Sequence, residues 1–214
     1  MASHVITTTT ALLHTLRAGD EGAVWELFVG RYSPILRSVA RRLGLSEEDA
    51  ADVAQQTLLE FVRDMRAGGF DRGRGRLRSW IVSIAEHRSR DILRRARTVS
   101  NAAATRPGAV GETCDLEAIG GSLEARATLE RWWDEEERAH VARVAWEQLK
   151  EGDRGDATSL QVFELVALRD VPPAEAARQM GMRIESVYAA KYRVAERLRA
   201  AIARLSAAYE ADLS

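Results

Sequence analysis

The chain of 214 residues has one cysteine, two lysines, four prolines and four histidines. A lone Cys114 excludes an intrachain disulfide, and no Cys or His spacing resembles a zinc site. No apolar run approaches the length of a membrane span. The opening MASHVITTTTALLHTL lacks the charged start and small-residue cleavage site of a signal peptide. No stretch alternates polar and apolar residues as a half-buried strand does. These absences lead us to expect a cytoplasmic, all-α protein with no cofactor and no metal. The scarcity of lysine means that the basic character is carried almost wholly by 29 arginines.

What is present is charge, strongly segregated beneath a net charge of −1. Ser46 to Glu60 carries five acids and no base, whereas Asp71 to Arg97 carries nine arginines against three acids. Glu112 to Glu137 reverses the sign, with nine acids against two bases, and Arg183 to Arg199 is basic again. Two separated basic segments on a neutral chain suit two contacts with a polyanion, nucleic acid above all. Solvated helices that pair with each other are the plainer explanation of the same pattern.

Apolar residues recur at helical spacing almost throughout. Trp25, Phe28, Tyr32, Ile35, Leu36 and Val39 define one face of a helix over about 21–43, which Gly44 ends. Ser46, with Asp49 three residues on, caps a helix that runs to about Arg66, before Gly68-Gly69. FDRGRGR reads as a loop and Leu77 to Arg97 as a helix. Residues 98–122, rich in small residues and without period, read as a flexible linker. Beyond it LEARATLERWWDEEERAHVARVAWEQLKEG forms one long helix or two, its stripe drawn through Trp132, Val141, Val144, Ala145 and Leu149. A short helix over 160–169 and helices over 173–208 complete the set. The predicted architecture is two small all-helical domains, 1–97 and 123–214, joined by the 98–122 linker.

Two segments carry the chemistry. PAEAARQMGMRIESVYAAKYRVAERL has the spacing of a helix-turn-helix: Ala177 small at the crossing, Gly181 in the turn, Val187 packing back. Its second helix would present Arg183, Glu185, Ser186, Tyr188 and Tyr192, with Lys191, Arg193 and Arg197 nearby, to a major groove. RLRSWIVSIAEHRSRDILRRAR sets Leu77, Trp80, Ile81, Ile84, Ala85, Ile92 and Leu93 on a core stripe opposite crowded arginines. Guanidinium groups fork onto phosphates and stack on bases, which suits unstacked DNA. Trp80 is either a base-stacking platform or a core anchor, and its helical position favours the core. His87 has no partner acid at ligand spacing.

With these segments in order, the chain resembles the bacterial sigma factors of the extracytoplasmic-function class. DAADVAQQTLL, residues 49–59, is similar to the family's polymerase-docking helix. LRSWIVSIAEHRSRDILRR, residues 77–95, is similar to the segment that melts and reads the upstream half of the open promoter. VPPAEAARQMGMRIESVYAAKYRVAERL, residues 171–198, resembles the helix-turn-helix that reads the distal element. The resemblance implies core RNA polymerase and promoter DNA as partners, and no chemistry of the chain's own. Asp49, Asp52, Gln55, Gln56 and Leu59 would face the polymerase. Arg72, Arg74, Arg76, Arg78, Trp80, His87, Arg88, Arg90, Arg94 and Arg95 would follow the single strand. Arg183, Glu185, Ser186, Tyr188, Lys191, Tyr192, Arg193 and Arg197 would dock on duplex.

Three departures stand out. Ala189-Ala190 replaces a frequent Ser-Arg, and the segment RWWDEEERAHVARVAWEQLKEGDRGDATSL lengthens the lead-in to the last domain. Ala51 and Gln56 stand where the family's docking helix usually has acids, with Thr57 directly after. A phosphate on Thr57 would restore about −1.5 to −2 of charge, so a Ser/Thr kinase acting there is one expected control and an anti-sigma protein another. Three other functions compete: a helix-turn-helix regulator that acts without polymerase, a metal-dependent nuclease or hydrolase built on Asp49 and Asp52 with Glu48 and Glu60 near, and a helical adaptor with no nucleic-acid role. The first leaves the arginine-rich helix without a role. The second lacks a second acidic or histidine cluster.

Overall fold

The computed structural model describes residues 22–69, 77–102, 123–152 and 156–213, and among these the chain is helical, with no strand. The helices are α1 (Gly22–Arg42), α2 (Glu47–Arg66), α3 (Leu77–Ala102), α4 (Leu123–Gly152), α5 (Ala157–Phe163), α6 (Pro173–Gln179) and α7 (Ile184–Leu213). The FDRGRGR loop, and with it Arg72, Arg74 and Arg76, lies outside the described residues, as do residues 103–122 of the expected linker. The described residues up to His140 form one compact unit, and Val141–Ala208 form a second.

In the first unit α1 turns Phe28, Tyr32, Ile35, Leu36 and Val39 inward at helical spacing, and Leu43, just past its end, is buried with them. Pro34 sits inside α1 and has no N–H to offer the Gly30 carbonyl, which lies on an exposed turn where water can serve it. The stop after α1 is a Schellman turn: Gly44 N–H donates to Arg41 O at 2.9 Å and Leu45 N–H to Ala40 O at 3.3 Å. Gly44 adopts φ +87°, which a side chain would strain. Two residues later the Ser46 hydroxyl accepts from Asp49 N–H at 3.1 Å and donates to the Asp49 carboxylate at 2.6 Å. This is the shortened capping box read from the sequence.

An aromatic chain ties the unit together. Phe28 stacks on Phe61 at 5.1 Å, Phe61 meets the edge of Trp80 at 5.1 Å, and Tyr32 lies 6.1 Å from Trp133. Trp133 belongs to α4, so the acidic helix helps to close this core. It is 1% exposed and Leu129, one turn earlier, is 3% exposed, whereas Trp132 is only partly buried at the edge. The stripe drawn through Trp132 is therefore corrected by one residue. Leu129 and Trp133, spaced by four, share the inward face, and Trp132 is turned about 100° away.

The second unit packs Leu160, Phe163 and Val194 together, with Trp146 5.4 Å from Phe163. The helix expected over 160–169 divides: after α5 a π-helical turn covers Glu164–Leu168, closed by Arg169 N–H on Glu164 O at 3.0 Å. No local sequence feature announces this wider turn. The α6–α7 pair follows the expected spacing, with Ala176, Ala177, Val187 and Ala190 buried and Gly181 at φ +60° between the helices.

Candidate nucleic-acid interface

The outward face of α2 is built by subtraction. Ala50, Val53, Ala54, Leu58, Phe61, Val62 and Met65 go into the core, which leaves Asp52, Gln55, Gln56 and Leu59 exposed and Asp49 half-buried beside them. Leu59 is 52% exposed, a large apolar side chain one turn beyond the exposed Gln55 and Gln56 amides. The expected docking residues thus share one surface.

Thr57 does not. It is 0% exposed, and its hydroxyl has no hydrogen-bond partner among the described residues. The expectation of a phosphorylation switch at Thr57 is overturned, because no kinase reaches a fully enclosed hydroxyl. A phosphate there would be an unpaired dianion inside an apolar core. At helical periodicity Thr57 lies between Ala54 and Leu58 and Phe61, on the buried side, one step off the Gln56 face.

On α3 the apolar stripe is as expected for Leu77, Ile81, Ile84 and Ala85, while Ile92 and Leu93 are half-buried. Val82, Glu86 and Ser89 are buried as well, which the helical stripe did not include. Trp80 is half-buried against Phe61 and serves the core. The arginines divide by partner. Arg88 puts both Nε (2.6 Å) and Nη2 on one carboxylate oxygen of Glu60, tying α3 to α2. Arg90 pairs with the buried Glu86 one turn before it. Arg78 reaches α4, where Nη1 bonds the Asp134 carboxylate and Nη2 donates to the Glu130 carbonyl at 2.7 Å. His87 is exposed with Nδ1 2.9 Å from Ser83 O, and Arg94 and Arg95 lie exposed further along.

The acids of α4 form a rim around Trp133. Glu135 and Glu136 bind Arg42 of α1 at 2.5 and 3.0 Å, and Glu137 lies 3.7 Å from the buried Arg31. Arg42 holds the Glu135 carboxyl below the usual carboxylate range, as Arg37 does for Glu47 at the start of α2. Burial pushes Glu137 the other way, above its ordinary 4.5, against the pull of Arg31 and Arg78 and with Asp134 adding to the rise. The folded unit then binds more protons than the unfolded chain between 4.5 and the raised value. Thermal stability is therefore expected to rise on acidification from neutral pH towards 4.5 and to fall below it, where Glu47 and Glu135 lose their charge. Glu137→Gln should abolish the rise; a melting curve that climbs equally in that variant would refute the assignment.

In the second unit Arg183, Glu185, Ser186, Tyr188, Tyr192 and Arg193 are exposed at the start of α7, and Lys191 and Arg197 are half-buried. Tyr188 and Tyr192 are 54% and 66% exposed and one turn apart. Arg193 donates to the Ser159 hydroxyl at 3.1 Å and Arg197 pairs with Asp156 at 3.3 Å. Those two arginines brace α7 against α5 as well as adding positive charge. No group of three His, Cys, Asp or Glu among the described residues is placed to hold a metal ion, and no described helix is long and apolar enough to cross a membrane.

Compared with known proteins, the sequence model of the family described as Sigma-70 region 2 matches residues 28–99, from within α1 to near the end of α3. No curated protein and no solved structure gives a match.

Proposed function

We propose, for a chain that carries a sigma-70 region 2 at residues 28–99, that it is a sigma factor of the extracytoplasmic-function class. It binds core RNA polymerase and directs promoter-specific initiation, and the polymerisation chemistry belongs to the core enzyme. The region 2 match carries this reading. The class rests on what accompanies it: a second helical unit whose α6–α7 pair has the burial and the turn of a helix-turn-helix, Gly181 included. In this reading the α2 face of Asp49, Asp52, Gln55, Gln56 and Leu59 docks on polymerase. The arginine side of α3 follows the melted strand, and the start of α7 enters duplex DNA. Residues 1–97 and 123–214 divide these roles, with the first half of α4 packed into the N-terminal unit. The chain works in the cytoplasm, with the polymerase.

The docking surface has a direct test. Leu59→Ala combined with Asp52→Asn removes an exposed apolar contact and an exposed charge without touching the core. Affinity for purified core polymerase should fall about tenfold or more, with the melting temperature unchanged. Unaltered affinity would reject this face. Tight binding of the parent chain to one duplex site, with no affinity for core polymerase, would instead favour the independent regulator.

A further inference from the structure

Resting on the reading of α3 as the strand-binding helix, we propose that the acidic first half of α4 masks it in the free protein. Asp134 and the Glu130 carbonyl hold the Arg78 guanidinium that a single strand would use. The arrangement has an anchor and a rim. Leu129 and Trp133 are buried in the core of the N-terminal unit and fix α4 along it. Around them Asp134 takes Arg78, while Glu135 and Glu136 take Arg42. Arg78 is 20% exposed and carries an α4 partner on each terminal nitrogen.

Arg88 and Arg90 are also paired, but with carboxylates of α2 and of α3 itself. Arg78 instead crosses to α4, whose first half is densely acidic. A phosphate approaching Arg78 must displace the Asp134 carboxylate and lie close to Glu130. The Asp134 carboxylate, in contact with that guanidinium, repels the incoming backbone as well as occupies its site. The occupant that relieves this is single-stranded nucleic acid, whose backbone supplies the charge that Asp134 supplies in the free chain. RWWDEEER, the opening of the long lead-in to the second domain, thereby acquires a role. Trp133 holds it down, and its acids keep the arginine helix quiet away from the promoter.

The test uses the full chain and a fluorescein-labelled single-stranded DNA oligonucleotide, titrated at several salt concentrations. Asp134→Asn should bind about fivefold more tightly at low salt. Its plot of log affinity against log salt should be steeper by about 0.7, the contribution of one extra phosphate contact on a single strand. Asp134→Ala, which removes the acceptor as well as the charge, should go further in the same direction. Glu135→Gln deletes the same charge from a carboxylate on Arg42 and should change affinity less than about twofold. In an Arg78→Ala background the Asp134 substitutions should have no effect. A gain at Asp134 no larger than at Glu135, or one that persists without Arg78, would overturn the mask and leave the sigma-factor reading in place. If the parent chain binds neither core polymerase nor the oligonucleotide, both fall together.

Discussion

Trp133→Ala should be among the most destabilising single substitutions in this chain, although Trp133 lies well beyond the region 2 match. The side chain is 1% exposed, 6.1 Å from Tyr32, and enclosed by residues of α1, α3 and α4. Cutting it to a methyl leaves a cavity in a helical core, a loss of about 3–5 kcal/mol. In a unit of this size that corresponds to a melting temperature lower by on the order of 20 °C. Trp132→Ala, at the edge of the same cluster, should cost about 1 kcal/mol. Thermal unfolding of the two variants, followed by far-ultraviolet circular dichroism, separates a core residue from its more exposed neighbour. Equal effects would mean that α4 does not pack through Trp133.

Thr57→Glu should disable the protein by unfolding it. A carboxylate at a position with no solvent exposure is strongly disfavoured, so a loss of about 3 kcal/mol or more is expected, with the proposed polymerase binding lost alongside. Thr57→Val should do the opposite. It keeps the shape and deletes a hydroxyl that has no partner among the described residues, so stability should hold or rise by about 1 kcal/mol. Denaturant unfolding of both, beside their affinity for core polymerase, provides the check. A Thr57→Glu chain that folds and binds more tightly would show that Thr57 faces outward after all.

Much of the architecture was legible in the sequence because it rests on short-range rules. Ser46 and Asp49 cap α2 through groups three residues apart, and Gly44 and Gly181 end helices through their own backbone freedom. The inward face of α1 and most of that of α3 follow from helical period, and so does the shared outward face of Asp52, Gln55, Gln56 and Leu59. The sequence match to sigma-70 region 2 is of the same kind, since it reads local pattern along residues 28–99. Those features need no knowledge of what lies across the fold.

What the sequence could not decide was which side chains meet. Thr57 looks like a modifiable hydroxyl beside Gln55-Gln56, but one helical step of about 100° turns it from the surface to the core. Only the packing of α1 and α3 against α2 makes that side an interior. The arginines of α3 look equivalent in a charge count, yet Glu60 claims Arg88, Glu86 claims Arg90 and Asp134 claims Arg78. An arginine's partner is set by what the fold brings within a few ångströms, and Asp134 lies 56 residues from Arg78. The sequence by itself determined most of the helices and the cap and glycine stops that bound them. Tertiary structure alone decided that the acidic helix closes the N-terminal core through Trp133 and holds Arg78, because burial and ion pairing depend on distances that chain order does not contain.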